Sequence, residues 1–293
     1  MRLREITTLL LLLCTSSLVL GQNNRDMLSS KTVLYKITAT NSTKTSYLFG
    51  THHAFGKLFF DSLTAANQAL SGSEIVIKEN LNIPGHTAED IINNRKKVVK
   101  WRTYLNRNDL TFIKNLFAKS PTDYSKMRPS EMYAFLNRRF KQQVCLNKGS
   151  NDTSLSLDDY IGSMANEKHI ALYGLETTEE QIALINKDVD GMPKRTHKRR
   201  LSNIIAKIRT ENRNDCGETD WYAQMEIDYQ LYSPCSNALV LTDRNNTWIK
   251  KIRKLLDTKN CFIAVGLSHL MYDCGLINQL QRLGYTLTPI NLR

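Results

Sequence analysis

Apolar and polar positions change period several times along the chain. Residues 31–39, KTVLYKITA, alternate as a half-buried strand does. Asn41 and Ser42 suit a turn, and 46–49 reads as the returning strand, ending at Gly50. Phe59, Leu63, Ala66 and Leu70 then form one apolar helical face, with Gly72 as its C-cap. Ile75-Val76-Ile77 is a short buried strand with Glu79 at its end. Helical spacing with start signals covers 109–118, 129–140 and 157–165. A strand over 169–173 ends in Gly174-Leu175-Glu176, and a capping box at 177–180 opens a helix through Ile185. The polar, basic segment 187–203, with Gly191 and Pro193, reads as an internal linker. Helices resume over 201–208 and 220–232. The end repeats the beginning. A helix near 247–256 leads into a strand at 261–265, then Gly266-Leu267-Ser268-His269. A helix follows with Leu276, Leu280 and Leu283 on one face and Gly284 as cap, and the last strand is 285–290.

Strands alternating with helices imply an α/β fold: a central sheet with right-handed crossovers and a helical middle region. The unit strand, G-x-x-H, helix, strand occurs twice, at Gly50–His53 and Gly266–His269. In open α/β sheets, sites form at the carboxyl ends of strands. His53, Glu79, Glu176 and His269 stand at such ends. A glycine there lets the backbone turn sharply and a ligand approach closely. Neutral imidazoles with one or two carboxylates can hold a divalent metal, and a second glutamate can serve as general base. The local pattern equally fits two histidines that satisfy buried backbone groups. His52, beside His53, is expected to point elsewhere, away from the ligand set or into solvent.

The first residues stand apart from this pattern. Arg2 and Arg4 precede an apolar run through Leu20, which reads as a signal peptide over 1–21 and leaves one domain over 22–293. An uncleaved N-terminal anchor is the other reading. No later run reaches the roughly 18 apolar residues of a membrane span, so a mature chain without a transmembrane anchor, exported and extracellular, is expected. In an oxidising compartment Cys145, Cys216, Cys235, Cys261 and Cys274 suggest two disulfides and one free thiol, with Cys216–Cys235 as the expected bridge. Sequons stand at Asn41, Asn151 and Asn245. The formal net charge of +12 is concentrated in Lys194-Arg195-Thr196-His197-Lys198-Arg199-Arg200. This run has no interleaved aromatics and no finger spacing, so a nucleic-acid partner is not expected. It reads as a solvated helix face or connector, as a protease-sensitive dibasic site, or as a contact for acidic surfaces such as glycosaminoglycans.

Five stretches carry a resemblance: YLFGTHH (47–53), SEIVIKE (73–79), YGLETTEEQ (173–181), DRNNTWIKKI (243–252) and FIAVGLSHLMYDCGLINQLQRLGYTLTPI (262–290). In this order, over nearly the full mature length, they resemble the TraB/PrgY/GumN superfamily, which includes the Tiki secreted metalloproteases. The resemblance implies a duplicated α/β fold of the erythromycin-esterase/ChaN/Tiki-like kind, in which the two G-x-x-H motifs meet. It also implies a divalent metal, manganese or cobalt, held by His53, Glu79 and His269. Glu176 would be a fourth ligand or the general base, and Arg244 would hold a substrate carboxylate or fix Glu176. The Tiki branch trims the N-terminal segment of Wnt proteins, so the implied substrate here is a peptide or the N-terminal segment of a secreted protein. Asn245 matches the family's RN pair, which argues against a glycan there. The chain departs from the family at His52, usually apolar, at Asn80, usually Leu, in the basic run, and in lacking the Tiki membrane anchor. The alternative function is a secreted, non-enzymatic protein that sequesters a peptide or factor, as the family's pheromone-inhibition members suggest.

Overall fold

A computed structural model of the chain describes residues 31–40, 42–149, 152 and 154–292. The signal peptide at 1–21 and the sequons at Asn41 and Asn151 lie outside them. In chain order the elements are β1 (Leu34–Thr38), β2 (Ser46–Thr51), α1 (Lys57–Asp61), α2 (Thr64–Ser71), β3 (Ile75–Lys78) and α3 (Ala88–Asn93). Then come α4 (Arg107–Leu116), α5 (Pro129–Phe140), α6 (Leu157–Glu167), β4 (Ala171–Gly174), α7 (Thr178–Lys187) and α8 (Lys194–Arg209). The chain closes with α9 (Gly217–Gln224), α10 (Asp243–Leu256), β5 (Cys261–Gly266), α11 (Leu276–Arg282) and β6 (Thr286–Pro289).

The strands form one mixed sheet in the order β4-β3-β5-β2-β1-β6. β1 runs antiparallel to both its neighbours, while β4, β3, β5 and β2 are parallel. The fold is therefore α/β, and the carboxyl ends of four adjacent strands fall on one edge. The two G-x-x-H units are neighbours, with Gly50 paired to Val265 and Thr51 to Gly266. The β5 run Cys261–Val265 is buried throughout, as a central parallel strand covered on both faces requires. Phe49 packs edge-on to Phe60 and stacks on Phe262, which ties α1 to the centre of the sheet.

A second apolar cluster lies among the middle helices. It joins Trp101, Ile113, Met132, Leu136 and Phe140 to Leu201, Ile204 and Ile205 of α8. Arg95 forks onto the buried Glu131 at 2.6 and 2.9 Å, and Asn186 of α7 donates to the same carboxylate at 2.8 Å. This knot sets α5 against α7. Burial opposes ionisation of Glu131, but these donors outweigh it and hold the carboxyl below its usual range. A depressed carboxyl adds stability that is present above its unfolded pKa of about 4.3 and is lost as pH falls through the folded value. Glu131→Gln should therefore cost about 1–3 kcal/mol at pH 7. Urea titrations at several pH values should show the gap to wild type closing below about pH 4.

Four expectations are corrected. The helix expected across 59–70 is two helices, broken at Ser62 and Leu63, where the Asn67 amide caps the Phe60 and Leu63 carbonyls. The expected linker 187–203 is mostly α8. Its apolar positions Leu201, Ile204, Ile205 and Ile208 share a buried face, and the basic run forms its first two turns. Lys194, Arg195, Lys198 and Arg199 are exposed, while Arg200 stacks on Tyr133 at 4.0 Å. The helix expected over 220–232 stops at Gln224, because Met225 adopts φ +58°. Met225, Ile227, Tyr229 and Leu231 are then buried alternately with exposed neighbours, a period of two rather than 3.6. Finally, the disulfides are Cys145–Cys216 and Cys235–Cys274, and Cys261 is a buried free thiol on β5. Cys216, just before α9, meets Cys145 in the turn that follows α5, and Cys235 pairs instead with Cys274, just before α11. Both bonds agree with an oxidising compartment. Among the described residues no helix is long and apolar enough to cross a membrane.

Candidate functional site

The four parallel strands deliver their following residues to one edge of the sheet. β2 leads to His53, β3 to Glu79, β4 to Glu176 and β5 to His269. The glycines act here through close approach. A Cβ on Gly50 would lie 2.6 Å from Leu267 Cδ1 and 3.2 Å from Leu270 Cδ2, in the turn that carries His269. Gly50→Ala should therefore destabilise by about 1–3 kcal/mol through overpacking, measured by chemical denaturation. Gly266 N–H donates to Glu79 Oε1 at 2.7 Å, and a Cβ there would sit 3.0 Å from the same oxygen. The second glycine thus gives a carboxylate access to the backbone.

Arg244, the second residue of α10, stands at the centre. Its Nε and Nη2 fork onto Glu176 at 3.1 and 2.5 Å. Nη2 also reaches Glu79 Oε2 at 2.8 Å, and Nη1 lies 2.8 Å from His269 Nε2. The guanidinium also lies 4.4 Å from the centre of the Trp248 ring, which is in turn 4.3 Å from the His269 ring. Asn245, fully buried, fixes the imidazole from the other side. Its Nδ2 donates to the His269 and Cys274 carbonyls, so its Oδ1 must face the ring and accept from His269 Nδ1–H at 2.7 Å. Nε2 then carries the lone pair, which accepts from Arg244. Burial first, and then Arg244 and His53, push the His269 pKa down to about 4, so the ring is neutral at pH 7. Burial would raise the Glu79 carboxyl, but the positive charges around it, Arg244 and His53 at neutral pH, outweigh it and hold it low. The Asn245 sequon cannot carry a glycan, because its amide is buried and used.

His53 is oriented differently. Its Nδ1 lies 2.6 Å from Asp158 Oδ2, and the other Asp158 oxygen accepts from Thr51 Oγ1 at 2.5 Å. The Asp158 charge raises the His53 pKa to about 9, against desolvation. The His53 side chain is 57% exposed against 3% for His269. It opens into a cavity of about 420 Å³ whose floor also includes Lys78, Glu79, Asp158 and Arg244. His269 does not line that cavity; Arg244 stands in front of it. His52 does point away from His53, as expected, but it is buried rather than solvent-facing. Its ring lies against Phe55 and Tyr222, Nδ1 accepts from Ala54 N–H, and Nε2 is 3.2 Å from Glu218.

A family model described as TraB/PrgY/gumN family matches residues 33–289, which span the sheet from β1 to β6. The chain belongs to the TraB/PrgY/gumN family. No curated protein and no solved structure matches it.

Within this family member the donor set suits a divalent cation in its chemistry. Each imidazole is oriented through Nδ1, so Nε2 is the ligand atom on offer, at His53 only once an ion displaces the proton that Asp158 helps to hold, and a carboxylate lies beside them. His269 Nε2 and Glu79 Oε1 are 4.0 Å apart, a span that one ion at about 2.1 Å from each can bridge. The set is not closed. Among the described residues, the group of three donors within 4.8 Å of one another is Cys235, Asp273 and Cys274, and there the disulfide consumes both thiols. Arg244 occupies the His269 lone pair, so loading an ion displaces that hydrogen bond. Both Glu176 oxygens are taken by Arg244. Of the two expected roles for Arg244, fixing Glu176 is the one this geometry supports.

Sequence reasoning assigned no role to Asp158, Gln181 or Trp248, and none to the Asn245 side chain. Asp158 sits in the first turn of α6, where an acidic residue ordinarily complements the helix N-terminus. Gln181, in the first turns of α7, donates to Glu79 at 3.2 Å. Trp248 lies four residues from Arg244 and three from Asn245 on α10, so helical spacing around the RN pair was the available signal.

Proposed function

We propose that the chain is an exported, divalent-metal-dependent peptidase acting on a peptide or on the N-terminal segment of a secreted protein. The observation that supports this most is that His53, Glu79 and His269 follow three parallel strands at their carboxyl ends, with each imidazole held through Nδ1. Asp158 and Asn245 are the kind of outer partner that orients metal-binding histidines. His53, Glu79 and His269 would hold the ion, which supplies a Lewis acid to polarise the scissile carbonyl. Arg244 presents a fixed cation at the cavity floor, suited to a carbonyl oxygen that gains negative charge. Glu176 is a positioning residue that holds the guanidinium plane. The two disulfides and the apolar leader support export.

The test uses purified protein stripped with a chelator and then supplied with manganese or cobalt. Peptide cleavage, read as a new N-terminus by mass spectrometry, is expected to vanish and then return. Cleavage that continues at the same rate after chelation overturns the metal reading. Intact ligand retained one to one, with no new terminus under any metal, overturns the peptidase in favour of a sequestering protein.

A further inference from the structure

The cavity in front of His53 and Arg244 is lined by two kinds of residue. Its floor is charged. Its wall is mainly apolar, from Tyr133 and Ala134 of α5, Leu184 and Ile185 of α7, Val189, and Val240 before α10, with Ser130, Asp188 and Arg200 among them. Ile185 is 38% exposed although it belongs to a helix whose neighbouring Ile182 is buried. The capping box at Thr177 fixes where α7 starts, and the Arg95–Glu131–Asn186 knot fixes α7 against α5. Both helices thus present this wall in a set position. Apolar surface held open inside a concave site is the usual lining of a ligand pocket, and covering it is favoured by roughly 25 cal/mol per Å².

Asn80, Asn137 and Gln181 also line the cavity. A side-chain amide offers both a donor and an acceptor, which matches peptide N–H and C=O groups. Asn80 spends one donor on Thr178 and Gln181 one on Glu79, and a purely hydrocarbon ligand would offer nothing to the remaining hydrogen-bonding positions of these amides. A peptide with a large apolar side chain satisfies both sides at once.

We propose that this cavity selects a peptide carrying a bulky aliphatic or aromatic residue adjacent to the bond presented to His53 and Arg244. The inference rests on the peptidase reading and names its substrate class. The backbone lies across the polar floor, and the side chain covers Ile185, Leu184 and Val240.

The experiment takes acetylated peptides that differ at one position, Leu, Phe, Gly, Asp or Lys. Binding is measured to the His53→Ala protein and cleavage to the metal-loaded wild type. Leu and Phe peptides should bind at least tenfold more tightly than Gly or Asp peptides. Ile185→Asp should erase that preference while circular dichroism stays unchanged. Ala134→Asp, at an exposed wall position, provides a second variant and should do the same. Equal binding of Leu, Gly and Asp peptides overturns the inference, as does an unchanged preference in both wall variants. Cleavage without apolar preference also overturns it while leaving the peptidase standing. Tight, apolar-selective binding with no cleavage supports the inference and counts against the peptidase.

Discussion

Arg244→Met should cost the fold about 3–5 kcal/mol, the range for removing one partner of a buried ion pair. Arg244, Glu79 and Glu176 have side-chain exposures of 13%, 11% and 7%, so water does little to replace the guanidinium. Methionine fills much of the same volume, so the loss reports charge rather than a cavity. Glu79 is the informative group. Its carboxyl is held low against burial by the charges of Arg244 and His53. A depressed carboxyl stabilises above its unfolded pKa and stops doing so as pH falls through the folded value. The deficit of the variant should therefore be largest near neutral pH and shrink in acid. Adding Glu176→Gln to Arg244→Met should recover part of the loss, since one uncompensated carboxylate disappears. Urea midpoints at pH 7 and pH 4 measure both effects. Equal deficits at both pH values would show that the loss does not come through the ionised Glu79 carboxylate.

His53→Ala and His269→Ala should each lower kcat/KM for peptide cleavage by at least about a hundredfold. Their structural consequences should differ. His53 is more than half exposed and is held chiefly by Asp158, so its loss should lower the thermal midpoint only by what that ion pair contributes. His269 is buried between Asn245, Arg244 and Trp248, so its loss should also loosen the cluster and lower the midpoint. Cleavage assays beside thermal melts separate the two. Retained turnover in both variants would remove these histidines from the mechanism.

Much of the framework was legible in the sequence because it is local. An apolar run that stops at Gly50, or at Val265 before Gly266, marks a strand end, and the next polar residue marks the edge where ligands bind. α5 was legible to the residue, since Pro129 opens it and the apolar spacing carries it to Phe140. What could not be read is contact between distant segments. Nothing near Glu176 announces that Arg244 takes both its oxygens, and nothing near Asp158 announces His53. The segment 225–231 misled because four apolar residues follow a real helix, and only their burial reveals the alternation. Cysteine pairing failed for a related reason: proximity in sequence to α9 says nothing about which way each thiol faces.

The position of β5 in the sheet has a consequence for how the protein is made. β5 pairs with β2 on one side and β3 on the other, yet it is the fifth of six strands to leave the ribosome. Until 261–266 is available, β1–β2 and β3–β4 are two separate pairs, and an isolated two-stranded pair is marginal in water. Each would also offer an open edge to other chains. The N–H of Gly266 that anchors Glu79, and His269 itself, arrive with the same late segment. The nascent chain thus carries an incomplete sheet for most of its synthesis, and the carboxyl edge that gathers these residues forms only when a central strand is inserted from the far end. Such long-range closure is slow, which places the vulnerable interval before that edge exists rather than after.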